Sequence, residues 1–293
     1  MIRRDDNGHW LLIRQTEHAR LAADIAGAWG SRQIPPLPMA DLLVPVIRHH
    51  DDGWRDWTPT IDSETGRPRG FTEMPMTVAT ELWSRSIEIC NRIAETPSPT
   101  PDADSTGPFA EGPLLLCGNW VSRHFCYLAE QVRRHHPDNS ADIAAVECFL
   151  DEQARLQSEG LHSLRAAFLD DDDLNCCLET GYRLLQFFDR LSLWLALRSP
   201  PLSRRLKPYE HLTGGPRIDP GLSIVGQLLP GPVGSGDADR LALSPYPLSV
   251  PQLELSVSAR RLPAEPFASD DDFRRALEQA PLVTLRWIIE PLS

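Results

Sequence analysis

Helical periodicity runs through the first two thirds of the chain and stops at Ser199-Pro200-Pro201. In six segments between about residue 16 and residue 197, apolar residues recur every three or four positions, which is the spacing that places them on one face of a helix, and residues 54–75 between them are loop-like. Beyond this point proline and glycine become frequent, and short apolar runs typical of β-strands replace the long periodic segments. The change predicts a helical core packed with a smaller β section.

Two parts of the sequence predict the strands of this β section. Residues 1–13 predict a hairpin, because Asn7-Gly8 separates two short runs and favours the positive φ angles of a tight turn. Three further apolar runs and one short helix lie near the other end of the chain: 222–229, 253–257, 282–289 and, for the helix, 270–279. A lone hairpin is barely stable in water, so we expect it to join these runs. The predicted fold class is therefore α+β, a mainly α-helical bundle with a small antiparallel β section.

The same change of pattern predicts how the chain is divided. The helical core covers residues 14–198, and the β-rich section that packs on it comprises residues 1–13 and 199–293. Residues 97–113 interrupt the helices, and Pro, Ser, Thr, Asp and Gly dominate there. Such a composition cannot build a core, so we predict an exposed linker over this range.

Composition limits the partners and the compartment. The 293 residues include 29 Lys+Arg and 41 Asp+Glu, a formal net charge of −12, which argues against broad binding to nucleic acid or to an anionic membrane. No apolar run approaches the ~20 residues needed to span a bilayer, and no signal-peptide-like segment starts the sequence. The six cysteines are too sparse for a disulfide scaffold. These features predict a soluble, cytoplasmic protein that binds neither nucleic acid nor a membrane.

Four predicted helices each place a histidine or an aspartate on the face that should be buried. His18 lies on the apolar face of the first helix, His50 on that of the second, and His124 on that of the fourth. Asp189 lies within 184–195, one of the most apolar stretches of the chain. A buried carboxylate is costly unless it is paired, protonated or bound to a metal. We therefore expect these side chains to meet in one core.

Imidazole and carboxylate groups that meet in a core can be explained by a metal ion. Divalent ions of the Mn, Fe or Zn type bind both groups and offset the desolvation of each. Asp51 directly follows His50, so one helix end can contribute two ligands. In hydrolytic centres, bridging carboxylates hold two metals ~3.5–4 Å apart around a shared water. The sequence predicts a divalent transition-metal site with one or two ions.

The candidate ligands follow a particular order along the chain. An early helical His18 is followed by His50-Asp51-Asp52-Gly53, and a late helical Asp189 is followed by Arg-Leu-Ser. This order resembles the HD superfamily of metal-dependent phosphohydrolases over residues 14–198. The resemblance implies four metal ligands: His18, His50, Asp51 and Asp189. It also implies that His124 binds either a second metal or the phosphate of a substrate.

A narrower resemblance covers nearly the whole chain. It is to an uncharacterised bacterial family of domain-of-unknown-function proteins, and four motifs carry it: Gln15-x-x-His18, His50-Asp51-x-Gly53-Trp54-x-x-Trp57, Thr65-Gly-Arg-Pro68 and Ser122-Arg-His124-Phe. By resemblance, His124 and Arg123 are candidate catalytic residues that would stabilise developing phosphoryl charge. Four other residues are candidates for substrate binding: Gln15, Trp54, Trp57 and Arg67. Structural alternatives stay open, namely core packing for the tryptophans and His124, a solvated surface position for the arginines, and a helix-end hydrogen bond for Gln15.

The predicted function is a metal-dependent hydrolase of a small phosphate-containing molecule. Two alternatives stay open. One is an HD-type di-iron oxygenase, because carboxylate and histidine ligands suit iron equally well. The other is a non-catalytic binding or regulatory module that retains the fold. The latter is favoured by Trp54, which stands where many catalytic HD relatives carry a Lys or a His, and by the acidic, Pro-rich predicted linker.

Overall fold

The computed structural model describes residues 1–93, 112–135, 140–165, 170–210, 212, 219–231 and 238–292. The helices in these residues are α1 (Gln15–Gly27), α2 (Ala40–His49), α3 (Met76–Ile93), α4 (Gly112–His135), α5 (Ser140–Arg165), α6 (Asp171–Leu197) and α7 (Asp270–Gln279). The strands are β1 (Ile2–Asp5), β2 (His9–Ile13), β3 (Ser203–Leu206), β4 (Ile224–Leu229), β5 (Asp239–Ser244), β6 (Leu253–Pro263) and β7 (Leu282–Pro291). None of the described helices is long and apolar enough to cross a membrane.

The N-terminal hairpin is present as predicted. β1 pairs with β2 antiparallel, and the turn between them has Asn7 at φ 50° and Gly8 at φ 75°. Both angles lie in the left-handed region that a two-residue hairpin turn requires. The hairpin also joins the C-terminal strands, because β2 pairs antiparallel with β6.

The prediction of a mainly helical bundle with a small antiparallel β section is wrong. Within the described residues, seven strands form one sheet in the order β1-β2-β6-β7-β5-β4-β3. The sheet is mixed, since β7 pairs parallel with β5 while the other neighbours are antiparallel. Parallel neighbours need a long crossover connection, and here β6 and α7 lie between β5 and β7 in the chain. β3 and β5 are short and carry charged residues, so their sequences do not stand out as strands.

The sheet is covered on both faces near its N-terminal edge. Along β2, Leu11 and Ile13 belong to the main core shared with the helices, whereas Trp10 and Leu12 pack in a second cluster with Phe273 of α7. Successive residues of a strand face opposite sides of the sheet, so this alternation places α7 on the face away from the main core. It also explains why Trp10–Ile13 is apolar throughout.

The helices that position the candidate ligands are packed against one another. α1 contacts α2, α6 and strand β6, and α4 contacts α3, α5 and α6. Their apolar faces form one core that continues onto the inner face of the sheet. The predicted linker at residues 97–113 lies outside the described residues, except for its last two residues, which belong to α4.

Candidate metal centre

Five buried side chains from four helical segments lie together in the main core, and we call them the His/Asp cluster. His18 comes from α1, His50 and Asp51 from the end of α2, His124 from α4 and Asp189 from α6. Each is at most 7% exposed. They form two overlapping groups that share one histidine: His18, His50 and Asp51 in the first, and His50, His124 and Asp189 in the second. Within each group the possible ligand atoms lie within 4.8 Å of one another, so each group can hold a metal ion.

His50 occupies the centre of the His/Asp cluster. Its Nε2 lies 3.5 Å from Asp189 Oδ1 and 3.7 Å from Asp51 Oδ2. Its ring meets those of His18 and His124 edge to face, with centroids 5.5 Å and 5.6 Å apart. His18 in turn places its Nε2 2.7 Å from Asp51 Oδ2. The five side chains therefore surround one small volume.

The backbone fixes the orientation of the His50 ring. His50 Nδ1 lies 2.7 Å from the carbonyl oxygen of Ile47, which can only accept, so Nδ1 donates there. In the neutral ring Nε2 then carries a lone pair. This atom is buried and has no hydrogen-bond partner among the described residues. Nε2 and two carboxylate oxygens thus face one another in the core, and the carboxylates need positive charge beside them, which either a proton on Nε2 or a metal ion can supply.

Ser192 holds His18 in a matching orientation. The Ser192 hydroxyl donates to the backbone carbonyl of Asp189 at 2.8 Å, and its oxygen lies 3.1 Å from His18 Nδ1. Because a hydroxyl has a single hydrogen, the oxygen accepts from Nδ1, and Nε2 is directed at Asp51. Ser192 was not among the predicted site residues. Its signal in the sequence is its place one helical turn after Asp189.

The electrostatics of the His/Asp cluster favour positive charge. Burial alone would lower the pKa of His50, but the carboxylates of Asp51 and Asp189 outweigh it and raise that pKa to about 9. Burial would raise the pKa of both carboxyls, yet the neighbouring His50 and His18 hold the pKa of Asp51 below its usual value and that of Asp189 well below it. Burial lowers the pKa of His124 to about 4. Two ionised carboxylates therefore lie in the buried core, and at neutral pH the proton on His50 supplies positive charge beside them. A bound metal ion would take the place of that proton.

Gly53 seats the His50-Asp51 turn directly on α3. The Gly53 amide donates to Ser86 Oγ at 3.0 Å. A Cβ at this position would lie 2.1 Å from the carbonyl oxygen of Leu82, far inside contact distance. The approach of the two backbones explains why a glycine follows the His-Asp pair, and it fixes the short 3-10 helix at Asp52–Trp54.

Three of the predicted substrate-binding residues line one cavity of about 500 Å³, which we call the tryptophan cavity: Gln15, Trp54 and Trp57. Gln15 precedes His18 by three residues on α1, and Trp54 follows Asp51 by three, so the segments that carry ligands also carry the cavity wall. The two tryptophan rings meet edge to face at 5.6 Å. Gln15 Oε1 and Trp54 Nε1 are buried without a partner among the described residues, so both can bind a ligand.

The two arginines that were predicted as site residues, Arg67 and Arg123, lie outside this cavity. Arg67 is exposed in a turn, where its backbone carbonyl accepts from the Asp62 amide at 2.8 Å. Arg123 is half-buried on α4, where it donates to Asn119 Oδ1 at 2.8 Å and lies 3.7 Å from Glu179. Neither residue lines the tryptophan cavity. Two other arginines, Arg14 and Arg260, line that cavity. The sequence pattern did not predict their role there.

One known protein family matches most of the chain. A family model described as a protein of unknown function, DUF3891, matches residues 1–94 and 114–264. The chain belongs to the DUF3891 family. The DUF3891 match includes all five residues of the His/Asp cluster and confirms the predicted domain-of-unknown-function family, but it gives no support to the wider HD resemblance. Searches of curated proteins and of solved structures find no match to the chain.

Proposed function

We propose that this protein is a metal-dependent hydrolase that acts on a small phosphate-containing molecule. One observation carries the proposal, namely the buried His50 Nε2, which has no partner among the described residues and faces Asp51 and Asp189. Two ionised carboxylates in the core are costly unless positive charge joins them, and we infer a metal ion because three histidines and two carboxylates converge in two possible ligand groups. The order of these ligands along the chain resembles that of the HD phosphohydrolases, and this resemblance supports the same function.

The donor set suits Mn, Fe or Zn. Imidazole nitrogen and carboxylate oxygen together are the ligands that these ions share, whereas Mg and Ca prefer oxygen alone. We assign His18, His50, Asp51 and Asp189 as metal ligands. His124 belongs to the same shell, because it forms a possible ligand group with His50 and Asp189. A divalent ion bound there would act as a Lewis acid and lower the pKa of a bound water toward neutrality.

The tryptophan cavity is the proposed place of the substrate. Its volume of about 500 Å³ is in the range of small-molecule sites. Arg14 and Arg260 line it without an ion pair among the described residues, and three carboxylates line it as well, those of Glu17, Asp56 and Glu278. A guanidinium beside a cavity favours an anionic ligand, to which it can donate two parallel hydrogen bonds. Arg260 keeps its Nη1 on the Ala280 carbonyl oxygen, 2.6 Å away. The tryptophans would pack on an apolar part of the same molecule.

The first test measures metal and reaction together. The full chain, reconstituted separately with Mn, Fe, Co, Ni and Zn, is expected to bind at least one equivalent of one of these metals by elemental analysis. The loaded protein should release inorganic phosphate from members of a panel of phosphomonoesters and nucleotides. Fewer than about half an equivalent of every metal would refute the proposal. An iron-dependent visible spectrum with oxygen uptake and no phosphate release would replace it with the di-iron oxygenase.

A second prediction concerns the positioning role of Ser192. Ser192→Ala removes the acceptor that holds His18 Nδ1, so His18 can rotate and present the wrong nitrogen to Asp51. We expect roughly 10–100-fold weaker metal binding, the usual effect of removing a group that orients a ligand. The measurement is competitive titration with a chelating dye. Ser192→Thr keeps the hydroxyl and should restore most of the affinity, while equal losses in both variants would show that Ser192 acts only through packing.

A further inference from the structure

A second cavity lies between α6 and β3, with a volume of about 370 Å³. Five cationic side chains line it against a single carboxylate, and we call it the basic cavity: Arg183, Arg190, Arg204, Arg205 and Lys207, with Glu210 as the acid. The chain as a whole carries a net charge of −12, so this concentration of positive charge is local. It therefore needs an explanation that composition does not supply.

Ion pairs account for only part of this charge. Arg183 pairs with Glu179 at 2.6 Å and Lys207 with Glu210 at 2.8 Å. The other three arginines have no carboxylate within ion-pair distance among the residues that the structure describes, and their contacts are to neutral groups. Arg204 donates to Ser199 Oγ and to the Pro200 carbonyl oxygen, both at 3.3 Å, and Arg205 donates to Ser223 Oγ at 3.3 Å. Arg190 lies over the Tyr127 ring, 5.4 Å from its centroid. Three guanidinium groups around one cavity repel one another, and an anion bound between them would remove that repulsion.

Two buried donors in the wall of the basic cavity also have no partner. Gln186 is 4% exposed, and its Nε2 makes no hydrogen bond to any described residue. The Nε of Arg204 is buried and unpartnered as well, although the guanidinium lies over the ring of Trp194, 5.0 Å from its centroid. Buried donors are normally satisfied, and leaving one without an acceptor costs about 1–3 kcal/mol. A ligand with several acceptor oxygens would satisfy both.

The basic cavity and the His/Asp cluster lie on different faces of α6. The α6 residues that line the cavity recur at helical spacing and form one stripe: Arg183, Gln186, Phe187, Arg190, Leu191 and Trp194. At about 100° per residue, Asp189 and Ser192 lie roughly 130–170° around the helix from the centre of that stripe. The cavity is thus separate from the candidate metal centre, although the same helix carries both.

We propose that the basic cavity is a second ligand site, which binds a small molecule bearing a di- or triphosphate group. Oligophosphates carry several charges and many acceptor oxygens in a small volume, which matches three arginines without a carboxylate partner, one of them with a free Nε, and the unpartnered amide of Gln186. The apolar side chains of Phe187 and Trp194 line the same cavity and provide a surface for the rest of the molecule. The inference goes beyond the proposed hydrolase function and does not depend on it.

The test uses inorganic tripolyphosphate as the probe and the full chain, both as purified and after dialysis against EDTA. We expect tripolyphosphate to raise the melting temperature and to bind measurably by calorimetry, with an affinity that falls as salt rises. The double variant Arg190→Gln/Arg205→Gln changes exposed side chains and should fold normally, yet bind the probe at least about tenfold more weakly. Arg85→Gln, which removes an exposed arginine of α3 outside both cavities, should bind like the wild type.

The remaining outcomes decide against the proposal or separate it from the metal centre. His50→Ala should retain tripolyphosphate binding, because His50 is not in the basic cavity, so a failed metal assay leaves this result interpretable. The absence of binding to the wild type, or binding that survives in the double arginine variant, would overturn the proposal. Binding lost only in His50→Ala would place the anion at the metal centre. Tighter, arginine-dependent binding of an RNA or DNA oligonucleotide would replace the small molecule with nucleic acid.

Discussion

His50→Ala is expected to abolish stoichiometric metal binding. His50 belongs to both possible ligand groups, and its Nε2 is the atom that faces Asp51 and Asp189. Removal of the ring takes one ligand from each group and leaves two buried carboxylates facing a void. The loss of affinity should exceed the roughly 10–100-fold that follows when only an orienting partner is removed. Elemental analysis after reconstitution, followed by competitive titration with a chelating dye, measures it.

His49→Ala provides a matched control, since it removes the same side chain one residue earlier. His49 is about one-third exposed and contacts Asp52 Oδ2 at 2.7 Å, and it belongs to neither ligand group. Asp52 keeps another hydrogen-bond donor, because Arg55 donates to the same oxygen at 2.6 Å. The control should therefore bind metal like the wild type. Equal metal content in His50→Ala and His49→Ala would show that the His/Asp cluster is not the metal site.

The grouping of these five residues could be predicted from the sequence because each interrupts a regular apolar face. Helical spacing fixes which side of a helix a residue occupies, and a single core forces the apolar sides together. His18, His50, His124 and Asp189 each continue such a face, so their convergence follows from four independent patterns. Ser192 could not be assigned in the same way, since a serine on a buried helical face is commonly bonded to its own backbone.

The sheet could not be predicted to the same extent because its pairing is non-local. The sequence indicates β2 and β6 as strands, but nothing in either says that they are neighbours about 250 residues apart in the chain. The parallel pairing of β5 with β7 depends on where β6 and α7 pack, which is a property of the whole fold. β3 is four residues long and reads Ser-Arg-Arg-Leu, so only its pairing with β4 identifies it.

The basic cavity could not be predicted from the sequence either. Its arginines come from α6 and from β3, and each pattern alone is typical of a solvated surface. Only the packing of β3 beside α6 brings Arg190, Arg204 and Arg205 around one volume. The grouping of these arginines therefore depends on tertiary packing and cannot be predicted from either segment alone. The members of the His/Asp cluster, in contrast, are unusual within their own helices.

Gly181→Ala is expected to cause a large loss of stability. The new Cβ would lie 2.1 Å from one atom of the Trp120 indole and within 2.5 Å of two others. Trp120 is fully buried, and its Nε1 donates to the Cys177 carbonyl at 3.1 Å, so the ring cannot move aside freely. Overpacking of this kind costs about 1–3 kcal/mol, and the upper end is expected here. Urea denaturation measures the free energy of unfolding.

Gly160→Ala is the matched control, because it adds the same methyl group to α5 where no atom lies within 4 Å of the new Cβ. In that helix alanine should stabilise the chain by about 0.5–1 kcal/mol.

Gly181→Ala should also bind metal less well, since Trp120 lies one turn before His124 on α4 and Gly181 lies on α6 with Asp189. Forcing α4 and α6 apart would separate the second ligand group and spare the contact between His18 and Asp51. Unchanged stability in Gly181→Ala would show that the close contact between α4 and α6 does not set the geometry of the cluster.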